Sequence, residues 1–145
     1  QVRYHDVDVT AFGYEKGQLP NQPAAYVANS MLVDAAKSSA LLLNNIKSLV
    51  GLITTGDTFM TDEGDINKAK INFPDMVAVE MEGAAIAHTC HHLDVPFVII
   101  RSLSDIAGKE SPTSFDAYLE KAAVNSSQLV ENMVEHLKGQ QNLLP

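Results

Sequence analysis

Three short runs rich in apolar and β-branched residues, 48–55, 77–81 and 96–103, are separated and followed by stretches with helical spacing. This alternation constrains the fold more than any other feature of the chain. Runs of that length, bounded by Gly, Pro and Asp, read as strands. Parallel neighbours need a long crossover connection, and a helix supplies it. The sequence therefore predicts an α/β protein with a substantially parallel sheet. The run 96–103 is apolar on both faces, so a central place in the sheet is expected for it.

Between the runs, Leu32, Ala35, Ala36, Ser39, Ala40 and Leu43 recur at three- and four-residue steps and predict a helix over 30–46. A short helix is expected over 66–72, stopped by Pro74, after a polar loop at 61–65. Further helices are expected over 82–93 and 114–137, the last capped by Ser114 in a capping-box variant that lacks the usual Glu. Gly13, Gly17, Pro20 and Pro23 punctuate a loop from 12 to 24. Residues 2–9 alternate as in a strand already under way, which is read as the later part of a larger unit. One domain over 1–138 with a frayed tail at 139–145 is expected.

Charge narrows the function classes. Ten Lys and Arg stand against eighteen Asp and Glu, a formal net charge of −8, which disfavours nucleic acid and anionic membranes as partners. A disulfide framework is excluded within the chain, because Cys90 is its only cysteine. No apolar run reaches the length of a membrane helix, and residues 1–8 do not resemble a signal peptide. A cytoplasmic protein is the expectation.

Ligands of open α/β sheets bind beyond the carboxyl ends of the strands. The first run delivers Asp57, Phe59 and Met60 there, the second Glu80, Met81 and Glu82, and the third Arg101, Ser104 and Asp105. In a continuing strand Glu80 and Glu82 would share a face and repel, so a turn near Met81 is expected to aim them apart. Glu82 then falls in the first turn of the next helix, where the dipole favours a carboxylate. Its alternatives are a ligand contact or a plain helix-terminal charge. Asp105 directly follows an apolar run, and desolvation there favours the protonated form, suited to donating a proton. An ordinary Asx turn is the competing reading. Phe59 and Met60 are either core or the walls of an aromatic slot. His88, His91 and His92 have helical spacing, but no matching Cys or carboxylate set surrounds them, so packing is preferred over metal. No metal and no cofactor are expected.

The segments Val79-Glu80-Met81-Glu82-Gly83-Ala84-Ala85-Ile86-Ala87 and Ile100-Arg101-Ser102-Leu103-Ser104-Asp105 resemble the signature segments of the bacterial 5′-methylthioadenosine/S-adenosylhomocysteine nucleosidases. So do Gly51-Leu52-Ile53-Thr54-Thr55-Gly56-Asp57-Thr58-Phe59 and Val9-Thr10-Ala11-Phe12-Gly13-Tyr14. The resemblance covers essentially the whole chain, and it matches about the last three-fifths of the family's domain. It implies the purine nucleoside phosphorylase-like fold, three α/β/α layers around a mixed, largely parallel sheet. It also implies hydrolysis of an N-glycosidic bond to release adenine. Asp105 would protonate the purine at N7, with Ser104 supporting it. Glu82 would hold the ribose hydroxyls, Met81 would pack on the sugar, and Arg101 would lie near both. Glu80 would stand beside the substrate. Phe59 would stack on adenine in a slot lined by Met60 and Val79, and Phe115 would bound the alkylthio end. Val9, Phe12, Tyr14 and Pro20 would form a homodimer interface that closes the neighbouring 5′ pocket.

The family's water-activating glutamate belongs to an earlier segment that these 145 residues do not contain, so the segment by itself is expected to be inactive. Two alternatives remain: a phosphorylase, or a nucleoside-binding protein without activity. Phosphorolysis needs basic groups for phosphate, and Arg3 and Arg101 are the only arginines. Keeping both Asp105 and Glu82 argues against mere storage.

Overall fold

The computed structural model of the chain describes residues 1–44, 46–103 and 115–141. They form two compact units, one of residues 1–28 and 49–99, the other of the described residues in 29–48 and 100–141.

The first unit is a three-stranded parallel sheet with helices. Strands β1 (Val2–Tyr4), β2 (Leu52–Thr55) and β3 (Met76–Glu80) lie in the order β1-β2-β3. Val2, Arg3 and Tyr4 pair with Ile53, Thr54 and Thr55, and Thr55 in turn pairs with Glu80. An irregularity between Leu52 and Ile53 resets the β2–β3 register. The central strand is short and polar at its end, yet Thr54 and Thr55 are almost fully buried. Helix α2 (Glu63–Asn72) starts where Asp62 accepts a hydrogen bond from the Asp65 backbone N–H at 3.1 Å. It therefore begins three residues before the expected start, because Asp62 supplies an N-cap inside the polar stretch read as loop.

Helix α3 (Gly83–His92) packs on β1 and β2. Its small face, with Gly83, Ala84 and Ala87 buried, admits a close approach. Val2, Tyr26, Ala84 and Ala87 form the core cluster, against which Tyr4, Phe97 and Ile99 pack. Two of the helical histidines lie against this cluster. His88 stacks on Tyr26 with centroids 5.4 Å apart, and His91 meets the same ring at 5.7 Å.

In the second unit, α1 (Ser30–Leu41) packs on α4 (Phe115–Gln141). Asn29 caps α1 by accepting from Leu32 N–H at 3.2 Å. The helix ends five residues before its expected limit, where the N–H groups of Leu42 and Leu43 turn back to Ser39 and Ala40 in a tightened last turn. Ala35, Ser39 and Ala40 are the buried face of α1, and Ala122 and Met133 that of α4. Helix α4 continues four residues beyond its expected end, taking in part of the segment read as a frayed tail.

One expectation is corrected. The run 96–103 does not form a strand. Among the described residues no backbone hydrogen bond joins it to the sheet, and the open side of β1 is bridged antiparallel by Tyr26 through two bonds of 3.0 and 2.9 Å with Val2. Apolar character brings Phe97 and Ile99 onto the core without providing the ladder that defines a strand. Among the described residues no helix is long and apolar enough to cross a membrane.

Candidate active site

The carboxyl ends of the three parallel strands bring together His5 and Asp6 after β1, Thr55 to Asp57 at β2, and Glu80 to Glu82 at β3. Backbone bonds fix the rim: His5 N–H donates to the Thr55 carbonyl at 2.8 Å and Gly56 N–H to the Glu80 carbonyl at 3.1 Å. Asp6 then accepts from Asp57 N–H at 2.8 Å, tying the first loop to the second. Gly56 is required by closeness, since a Cβ there would lie 2.3 Å from the His5 ring. Burial pushes the His5 imidazole below its ordinary value, against the opposing pull of Asp6 and Glu80.

At the β3–α3 corner the chain bends at Met81 and Glu82, and the helix starts at Gly83. The Glu80 carboxylate turns over that start. It accepts from Gly83 N–H at 2.7 and 2.9 Å and from Glu82 N–H at 3.1 Å. The Thr55 hydroxyl donates to the same carboxylate and accepts from Ala84 N–H at 2.8 Å. Three successive N–H groups that a helix leaves without internal partners are thereby satisfied by one buried hydroxyl and one carboxylate.

The helix-terminal contact that the sequence offered as one alternative for Glu82 is made by Glu80. Glu80 serves the helix terminus. Glu82 occupies the N-cap position, makes no side-chain capping bond, and is exposed. The reason is reach: Glu80 precedes the bend, so its side chain folds back across the first turn, whereas Glu82 stands at the turn's edge.

The other candidates are distributed as follows. Phe59 is exposed and Met60 half-buried, both in the stretch after β2, and Val79 is half-buried within β3. Met81 stands exposed on the bend. Arg101 is exposed and belongs to the second unit. Ser104 and Asp105 lie outside the described residues, as does the side chain of Phe115, whose backbone opens α4. In the first unit, Val9 precedes a single 3-10 turn at Thr10–Phe12, Phe12 is 80% exposed, and Pro20 is exposed. Tyr14 is half-buried, with its hydroxyl 3.5 Å from Asn21 Oδ1.

His5, Asp6 and Thr55 were not singled out from the sequence. The opening strand was read as continuing to residue 9, which hid His5 and Asp6 inside it. Its end at Tyr4 moves them to the rim. The third strand end is therefore supplied by β1 rather than by 96–103. Among the described residues no group of three or more His, Cys, Asp or Glu is placed to hold a metal.

A parallel sheet with acidic loops gathered at its carboxyl rim and a capped helix leaving it defines an open α/β protein, the architecture whose ligand crevices lie at that rim. A family model for the phosphorylase superfamily matches residues 1–135, and the chain belongs to that superfamily. It is 65% identical over 144 residues to a 5′-methylthioadenosine/S-adenosylhomocysteine nucleosidase of Colwellia psychrerythraea, covering 96% of this chain and 59% of that protein. The corresponding protein of Pseudoalteromonas translucida is 59% identical over 137 residues, covering 94% and 58%. Among solved structures, the Colwellia nucleosidase in complex with adenine superposes with a TM-score of 0.86 at 67% identity, over 92% of this chain and 56% of that one. The Neisseria meningitidis nucleosidase with methylthio-immucillin-A gives 0.86 at 44% identity, over 93% and 58%. The chain thus spans about three-fifths of the length of the relatives it matches.

Proposed function

We propose that the protein carrying this chain hydrolyses the N-glycosidic bond of 5′-methylthioadenosine and S-adenosylhomocysteine. The observation that carries the reading is the β3–α3 corner. Glu80 takes the helix terminus, and Glu82, exposed at the N-cap position on the same rim, is the group that meets the sugar in this reading. The likeness to nucleosidases bound to adenine and to methylthio-immucillin-A supports the same ligand class.

In this reading Glu82 accepts hydrogen bonds from the ribose hydroxyls and its charge favours the cationic character that develops on the sugar. Asp105 delivers a proton to adenine N7 as the bond between C1′ and N9 breaks, so that a neutral base departs. A water oxygen bonds to C1′ and passes its proton to the water-activating glutamate that the family resemblance implies, giving adenine and the 5-thioribose product. Phe59 and Met60 offer the apolar face for the base, and Met81 packs on the sugar. Val9, Phe12, Tyr14 and Pro20 meet a second copy in a homodimer, with Phe115 bounding the alkylthio end. The cytoplasm is the compartment in this reading.

Arg3 favours water over phosphate as the nucleophile. Its guanidinium is engaged by Glu15 at 3.0 Å and the Lys16 carbonyl at 2.7 Å and lies over the Phe73 ring. The test is adenine release from methylthioadenosine by the intact protein with and without phosphate. Release independent of phosphate is expected. Release that requires phosphate would make it a phosphorylase, and no release would overturn the reading.

A further inference from the structure

We propose that Thr55 and Glu80 are positioning residues that aim Glu82 at the ribose, an inference that rests on the nucleosidase reading of the same site. Thr55 is 2% exposed, and its hydroxyl is used in both directions, donating to Glu80 and accepting from Ala84 N–H. Glu80 in turn holds the N–H groups of Glu82 and Gly83. The backbone on either side of Glu82 is therefore clamped by a side chain of β3, Glu80, and one of the adjacent strand β2, Thr55, rather than by its own helix. The clamp also spans two sheet neighbours, because Thr55 and Glu80 are register partners. Their side chains reach the helix from adjacent strands without any intervening loop.

The chemistry of the clamp is specific. A hydroxyl is the smallest group that gives one hydrogen bond and takes another, and Ser does this as well as Thr. Val keeps the shape of Thr and does neither, leaving Ala84 N–H without its acceptor. In Glu80→Gln one acceptor oxygen becomes an NH2 that faces backbone N–H groups, donor against donor. Both changes leave the Glu82 side chain intact and loosen the backbone that carries it. Misplacement by about 1 Å costs roughly 10²-fold in a site that depends on orientation.

The measurement is the ratio of kcat/KM for a ribose substrate over its 2′-deoxy analogue, in the intact protein. A change that only lowers the folded fraction reduces both rates and leaves the ratio alone. Loss of aim reduces the ratio, because the ribose contact is what separates the two substrates. Thr55→Val and Glu80→Gln are each expected to lower the ratio by about tenfold or more, and Thr55→Ser to keep it. An unchanged ratio in either Val or Gln variant, with the protein folded, overturns the inference. If Thr55→Val fails to fold, the nearly isosteric Glu80→Gln decides. If the parent protein releases no adenine at all, the functional reading fails separately. The clamp is then judged by amide exchange at Glu82, Gly83 and Ala84. Protection lost with Val and kept with Ser upholds it, and equal protection in both overturns it.

Discussion

The geometry of Gly17 gives a worked test of how the first strand is seated beside the rim. Gly13 and Gly17 both adopt left-handed backbone, with φ of 85° and 80°. Alanine at either position bears the cost of that conformation, about 1–2 kcal/mol. Both gain the same few tenths to about 1 kcal/mol from a less flexible unfolded chain. Their surroundings differ. A Cβ at Gly13 meets nothing within 4 Å, whereas at Gly17 it would lie 2.1 Å from the Tyr4 carbonyl oxygen. Carbon and oxygen normally stay at least about 3.3 Å apart, so the end of β1 would have to move by about 1 Å. Forcing such a shift into packed structure costs about 1–3 kcal/mol more. Gly17→Ala should therefore be less stable than Gly13→Ala by about 1–3 kcal/mol, read from urea unfolding of the intact protein with linear extrapolation. Because Tyr4 leads directly into His5 and Asp6, the same variant should disturb the rim. Equal unfolding midpoints for the two variants would refute the reasoning.

Asp105→Asn in the intact protein should lower kcat by about 10²-fold or more with the fold retained, and wild-type turnover would sink its assignment as the proton donor. For His5 the sign follows from its lowered pKa. The unfolded chain takes up the proton first, so the contribution to stability is full above 6.5 and is lost as pH falls below that value. His5→Gln should flatten the stability profile on the acid side, and an unchanged slope would count against burial as the cause. The intact protein should sediment as a dimer through the face carrying Phe12, and a fully active monomer would exclude that face from the site.

What could be read from the sequence followed the strength of local signals. Strands β2 and β3 and helix α3 were legible because β-branched runs end abruptly in Gly-Asp and in a bend followed by small helix-forming residues. The run 96–103 carried the same apolar signal and was misread, since pairing depends on a neighbour that no local pattern reveals. Helix α2 was cut short because Asp62 looks like loop until its side chain is seen to cap Asp65. Glu80 and Glu82 were both recognised as site candidates, but their division of work depends on which side chain can fold back over a turn. Thr55 carried no signal of its own. A threonine at the end of a buried strand is ordinary, and only the register that sets it beside Glu80 gives it a part.

That division of work has an electrostatic consequence for the proposed reaction. The start of α3 carries roughly half a positive charge, concentrated on N–H groups without helical partners. Left bare beside a sugar that becomes cationic, it would oppose the developing charge. A single carboxylate at the corner would have to serve both the helix and the sugar, and hydrogen bonds from the helix would draw its charge inward. Two glutamates separated by a bend resolve the conflict. Glu80, with Thr55, absorbs the donors of Glu82, Gly83 and Ala84. Glu82 makes no side-chain capping bond to the helix, and in the proposed reaction its charge acts on the ribose. The order matters, because the residue before the bend reaches the helix and the residue on it faces the rim. The Glu-Met-Glu sequence is thus a division between structure and chemistry. The sheet register enforces it by setting Thr55 against the first glutamate and away from the second.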